Sequence, residues 1–149
     1  MKLSKKVDYG VRVLLDLAQH YGLGLTQTNG IAQRQGIPEP YLDQLLTVLR
    51  RAGFVDSRRG PQGGHSLTRS ASEISLAEVM GALEGRASPR CMAEPANCSR
   101  SVACGQRDVW RQIDEQAQQL LQATTIGQLA EMEEQRLAER PVEAKRRGR

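Results

Sequence analysis

Apolar residues recur at helical spacing at both ends of the chain, and the texture between them is strand-like. Val11, Leu14, Leu15 and Ala18 fall at i, i+3, i+4 and i+7, which predicts a helix over residues 7–21 with one apolar face. The loop GLGLTQTNG follows, with Thr28 or Asn29 placed to cap the short helix IAQRQ. Gly36 ends that helix in a tight turn. Pro40 suits the first turn of a second helix that runs to about Ala52. Leu42, Leu45, Leu46 and Leu49 form its apolar face and belong to the core. Asp43, Gln44, Thr47, Arg50 and Arg51 take the opposite face.

At FVDSRRGPQGGHSLT the pattern becomes a β-hairpin with a long tip, RRGPQGG, returning through Ser66–Thr68. ISLAEVMGALEG predicts a helix headed by Ile74 or Leu76, with Val79, Met80 and Leu83 inward and Gly85 as its stop. Pro89 and Pro95 mark the next segment as irregular. Residues 106–123 predict a long helix with Val109, Ile113, Ala117, Leu120 and Leu121 near one face, and TTIGQLA starts another short one. From about Ala138 the tail is polar and reads as disordered. The fold class is mainly α with a small β-hairpin wing. A winged helix-turn-helix occupies 1–86 and a cysteine loop 87–105. The long helix and a short docking helix fill 106–137, and a polar tail 138–149.

Charge adds a direction. Residues 1–90 hold 12 Lys and Arg against 8 Asp and Glu, whereas residues 91–149 hold 9 of each. The basic excess sits in the winged part, so a polyanion would meet that part. No apolar run approaches membrane-spanning length. The basic-then-apolar start resembles a signal peptide, but Asp8, Arg12 and Asp16 interrupt it and no small-residue cleavage site follows. A cytoplasmic protein is expected. No His lies near the thiols in sequence and no paired catalytic carboxylates stand out, so an enzyme is not expected.

Two short helices, a tight turn and a hairpin are the parts of a DNA reader. The second helix fits the major groove and reads it with its start and polar face: Glu39, Pro40, Tyr41, Asp43 and Gln44. Gln44 is suited to a bidentate adenine contact, and Arg50 and Arg51 to phosphates. At the wing tip Arg58 and Arg59 precede Gly60, and arginine there suits the narrow minor groove of A·T-rich DNA. Thr28, at the start of the first short helix, joins the candidate contacts. Tyr41 has an equal claim to pack beneath its helix. GPQGGH lacks the Lys-Ser/Thr of a nucleotide-binding loop.

These residues resemble a known family. IAQRQGIPEPYLDQLLTVLRRAGFVDSRRGPQGGHSLTRSASEISLAEVMGALEG is similar to the IscR/NsrR type of winged-helix transcription regulators, the Rrf-two family. The likeness runs from MKLSKKVDYGVRVLLDLA to about TTIGQLA. YLDQLL, the AGFVDSRRGPQGG wing and EISLAEVMGALEG are specific together. In that family an aromatic residue, usually Tyr, follows the paired glycines; His65 stands there instead, which implies a change in wing packing rather than in function. The resemblance implies a homodimer joined by the long helix, bound to partly palindromic promoter sites on double-stranded DNA, more often repressing than activating.

All three cysteines lie within CMAEPANCSRSVAC, six residues separating Cys91 from Cys98 and five separating Cys98 from Cys104. Clustered thiols in a reducing compartment suit metal or redox chemistry, and soft thiolates suit iron–sulfur clusters and zinc. Cluster-binding members of the resembling family carry three cysteines at this place. One solution in that family adds a His three residues after the last Cys and holds a 2Fe–2S cluster; here that residue is Arg107, which cannot ligate. The other, in nitric-oxide-sensing members, holds 4Fe–4S with an Asp near the N-terminus of the partner subunit, which matches Asp8. The resemblance thus favours 4Fe–4S on Cys91, Cys98, Cys104 and Asp8, with 2Fe–2S second, sensing nitric oxide, redox state or iron. Asp8 is also an ordinary acid at a helix N-terminus, and Glu94 and Asp108 are other carboxylates in reach. His20 and His65 read as surface or packing residues. A cluster-free thiol regulator, a zinc-containing one, and a protein-interaction module acting on an enzyme stand as alternatives.

Overall fold

The computed structural model describes residues 3–85, 94–100 and 102–139. Pro89, Cys91 and the polar tail beyond residue 139 lie outside that set. Helices α1 (Lys5–Gln19), α2 (Thr28–Gln35) and α3 (Glu39–Arg51) come first, then strands β1 (Val55–Arg58) and β2 (Gly64–Leu67). Helices α4 (Leu76–Glu84), α5 (Gln106–Ala123) and α6 (Ile126–Ala138) follow, with short 3-10 turns at Ala71–Glu73 and Pro95–Asn97. The strands form one antiparallel hairpin, with Val55 opposite Leu67 and Arg58 opposite Gly64. A helix-turn-helix with one wing is thus in place, as anticipated.

Helix α1 is the centre of the molecule, packed by α2, α3, α4 and α6. Ser4 caps it, accepting the Val7 amide at 3.2 Å. Its buried apolar side chains are Val7, Val13, Leu14 and Leu17, while Val11, Leu15 and Ala18 lie on the flank of the core. The anticipated face is therefore rotated and too narrow. A one-sided stripe describes a helix with one neighbour, and this one is covered on several sides. Helix α3 behaves as expected: Leu42, Leu45, Leu46 and Leu49 are all buried. Burying each leucine contributes about 2 kcal/mol relative to leaving it in water.

The start of α2 differs from expectation. Gln27 is the capping residue and makes no side-chain cap, so neither Thr28 nor Asn29 takes that role. The Thr28 hydroxyl is engaged elsewhere. Gly36 closes α2 at φ +63°, the left-handed region a residue without Cβ enters freely. The hairpin returns from Gly64 rather than Ser66, because the strand ladder extends to the base of the tip.

A buried carboxylate on α1 meets a partly exposed cation on α2. Asp16 is fully inaccessible. It accepts two bonds from Arg34, at 2.9 and 2.8 Å, and one from Gln35 at 3.1 Å. The His20 ring bonds the Asp16 carbonyl at 2.7 Å.

Helix α4 opens with a capping box: Ser75 accepts from the Glu78 amide while Glu78 reaches back to the Ser75 amide. Thr125 and Gln128 repeat the device on α6. The two helix starts are paired through the backbone, Leu76 N–H to Thr124 O at 2.8 Å and Ile126 N–H to Ile74 O at 2.9 Å. Ile74 and Ile126 are wholly buried in the core around α1. Helix α6 runs thirteen residues, longer than the short element anticipated. No residue of helix α5 is fully buried: on the apolar face anticipated on it Val109, Ile113 and Leu120 are each at least half exposed, while Ala117 and Leu121 are half-buried beside α4.

Candidate nucleic-acid interface and cysteine segment

The tight turn at Gly36 and buried Ile37 set the start of α3 outward. Glu39, Pro40, Asp43, Gln44, Arg50 and Arg51 are all exposed on α3. Tyr41 is partly buried, its ring edge-on to Tyr9 at 5.7 Å, so packing accounts for its placement. Arg58 ends β1, and Arg59 and Gly60 begin the tip. Gly60 has φ +110°, and its carbonyl accepts the Gly63 amide at 2.9 Å to close the turn. A Cβ on Gly64 would stand 2.7 Å from the Thr26 carbonyl oxygen, so the wing can approach the loop before α2 only as glycine.

Helix and wing enclose a cleft of about 560 Å³ lined by Asp43, Thr47 and Arg50 from α3 and by Ser57, Arg58, Arg59 and His65 from the wing. Three arginines face one carboxylate there, a surface suited to a phosphate chain. Arg50, Arg58 and Arg59 are thus brought together. Arg51 lies outside the cleft lining, at the C-terminal end of α3. Thr28 sits at the base of the wing, its hydroxyl 2.9 Å from His65 Nε2.

His65, expected as a surface or packing residue, packs at the base of the wing with two specific partners, Thr28 and Ser57. Burial holds its pKa below the ordinary value; Asp43 acts upward and Arg50 downward. The folded state therefore favours the neutral ring. An unfolded His takes its proton near about pH 6.5, so this contribution to stability is complete above that pH and is lost as pH falls below it. The melting temperature is expected to drop between about pH 7.5 and about pH 5.5, and His65→Gln to flatten that limb. Parallel melting profiles for the two proteins would assign the titration to another group.

Cys98 and Cys104 lie on the segment leading into α5, partly exposed and outside any disulfide. Cys91 is outside the described residues, and among those described no three of His, Cys, Asp and Glu converge as a metal site. The donor set fits a soft metal or cluster as far as it is described: two unpaired, accessible thiols six positions apart. The alternative carboxylates are engaged locally, Glu94 with Asn97 and Asp108 with Arg111 at 3.0 Å. Asp8, in the first turn of α1, is partly exposed and bound through both oxygens by Arg12, at 3.1 and 2.9 Å. Arg12 also lies over the Tyr9 ring. To serve as a ligand, Asp8 has to leave that pair.

The fold and the basic cleft define a winged helix-turn-helix DNA-binding protein. Residues 3–132 match the Rrf2 family, described as an iron-dependent transcriptional regulator. The chain is 37% identical over 130 residues to the protein rrf2 of Nitratidesulfovibrio vulgaris, covering 87% of each. It is 36% identical over 135 residues to the regulator IscR of Klebsiella pneumoniae, covering 90% of this chain and 82% of that one. Among solved structures, CymR, the global cysteine regulator of B. subtilis, superposes with a TM-score of 0.76 at 33% identity, over 89% of this chain and 98% of that one. IscR of T. potens superposes with a TM-score of 0.74 at 35% identity, over 95% and 93%. The chain belongs to the Rrf2 family of transcription regulators, which are DNA-binding proteins and not enzymes. Among the described residues no helix is long and apolar enough to cross a membrane.

Proposed function

We propose that the chain is a cytoplasmic, homodimeric repressor whose hold on DNA is set by an iron–sulfur cluster on Cys91, Cys98 and Cys104. The observation that carries this reading is the position of the thiols: a three-cysteine segment that runs directly into α5, in a chain of this family. When bound, a cluster with only three thiolates leaves an iron held by a weaker ligand, reactive toward nitric oxide or oxygen and lost when iron is scarce. The 4Fe–4S form is favoured over 2Fe–2S because Arg107 occupies the place of the nearby histidine. Asp8 of the partner subunit is the proposed fourth ligand. The open apolar face of α5 supplies the contact between two copies, and the DNA site is partly palindromic to match their symmetry.

The chain's own residues read DNA in this proposal. Gln44 and the start of α3 enter the major groove, Arg50 and Arg51 neutralise phosphates, and Arg58 and Arg59 enter the flanking minor groove with Gly60 letting the backbone approach. Thr28 helps to place the wing. Anaerobic purification with a visible spectrum tests the cluster, repeated after nitric oxide and oxygen exposure with DNA binding measured alongside. A brown protein with a broad band supports 4Fe–4S, and a structured red spectrum supports 2Fe–2S. A colourless protein with bound zinc overturns both. A second reading, a cluster-free regulator switching through thiol oxidation, draws on the comparable likeness to CymR; it predicts a colourless, metal-free protein.

Asp8→Ala is expected to make the visible band bleach in air at least about tenfold faster. Arg12→Ala, which frees the same carboxylate, is expected to leave the band as stable or more so. Unchanged bleaching in Asp8→Ala would show that the fourth ligand lies elsewhere.

A further inference from the structure

The wing meets the helix-turn-helix at the loop before α2, and one side chain spans the joint. His65 Nε2 is 2.9 Å from Thr28 Oγ1 on the first residue of α2, and Nδ1 is 2.8 Å from Ser57 Oγ on β1. A hydroxyl can donate or accept, so a neutral ring satisfies both bonds in either tautomer. The backbone of His65 also pairs with Thr26, Thr26 N–H to His65 O at 2.9 Å and His65 N–H to Thr26 O at 2.8 Å. Gln27 adds a bond from its amide to the Pro61 carbonyl at 3.3 Å. The ring therefore braces β1 against α2 at one wall of the cleft, facing Asp43 and Arg50 on α3 and Arg58 and Arg59 on the wing.

We propose that His65 is a positioning residue for DNA binding, a brace between β1 and α2 that fixes how far the wing-tip arginines stand from the recognition helix. The proposal rests on the DNA-binding reading above and deepens it. Major- and minor-groove contacts on one duplex have a set separation. A wing held at that separation before binding loses little freedom on contact, whereas a wing tied by its backbone pair alone must be ordered each time. The brace acts through Thr28 and Ser57 and touches no base itself.

The test uses the full-length chain and a duplex selected from a random pool on the wild-type protein. His65→Ala is expected to weaken binding about tenfold and to erase hydroxyl-radical protection over the wing-contacted flanks. Major-groove contacts, read by guanine methylation interference, are expected to persist. Ser57→Ala is expected to give a milder form of the same selective loss and to add nothing to His65→Ala. His65→Gln, which keeps a donor and an acceptor near Thr28, is expected to recover part of the flank protection. Should His65→Ala prove unfolded by melting, Ser57→Ala and His65→Gln carry the test. Equal weakening of both groove contacts, or no change in either, would overturn the brace while leaving the regulator reading intact. A wild-type chain that selects no duplex would remove both.

Discussion

Replacing Arg34 by alanine is expected to lower the melting temperature by on the order of 5 °C, about 2 kcal/mol. The cause is the carboxylate left behind. Asp16 is fully inaccessible, and Arg34 supplies two of the three side-chain bonds described for it. A buried carboxylate that loses its cation is the expensive half of an ion pair; figures of about 3–5 kcal/mol are usual. The lower value applies here because the Arg34 side chain is itself 43% exposed and Gln35 stays in place. The pairing is visible from the other side too, since the bond to Asp16 is the main influence raising the Arg34 pKa. Chemical and thermal denaturation of Arg34→Ala check the magnitude. The double variant Asp16→Leu with Arg34→Met removes both charges and should melt higher than Arg34→Ala. If it does not, an isolated buried charge is not the cause.

Alanine at any one of Cys91, Cys98 or Cys104 is expected to reduce the iron recovered per protomer by at least about tenfold and to leave the protein colourless. DNA binding by these variants should no longer respond to nitric oxide or air. Metal analysis and a gel-shift titration under anaerobic and aerated conditions check both halves. Full iron content in any of the three variants would remove that cysteine from the ligand set. Wild-type protein that is itself colourless, with thiols that become unreactive in air, would move the chain to the thiol-switch reading.

Much of this was open to the sequence because it is local. The leucines of α3 sit at strict helical spacing, Gly36 and Gly85 punctuate as glycines do, and the long helix was placed over 106–123, the same residues as α5. The capping boxes at Ser75–Glu78 and Thr125–Gln128 follow a spacing that is itself readable in the sequence. What sequence could not supply is contact across distance. Asp16 counted as an interruption in an apolar helix, when Arg34 eighteen residues on made it part of the interior. Thr28 looked like a cap until His65, thirty-seven residues away, claimed its hydroxyl. Tyr41 had two equal readings, and only the position of Tyr9 separates them. The proposed cluster site is legible as a donor set alone, since its proposed ligands include a second chain.

The backbone pairing of Ile74 with Ile126 bears on how the protein comes apart. A boundary near residue 86 divides the chain by texture, DNA reader before and long helix after. Yet Ile126 lies in the same core as Val13, Leu17 and Val79, so the reader is completed by a residue from beyond the long helix. Helix α5 thus leads into a segment that returns to the core around α1. A fragment ending before α5 would lack part of its own interior. Helix α5 packs against α4 and is followed directly by α6, and both of those helices pack on α1.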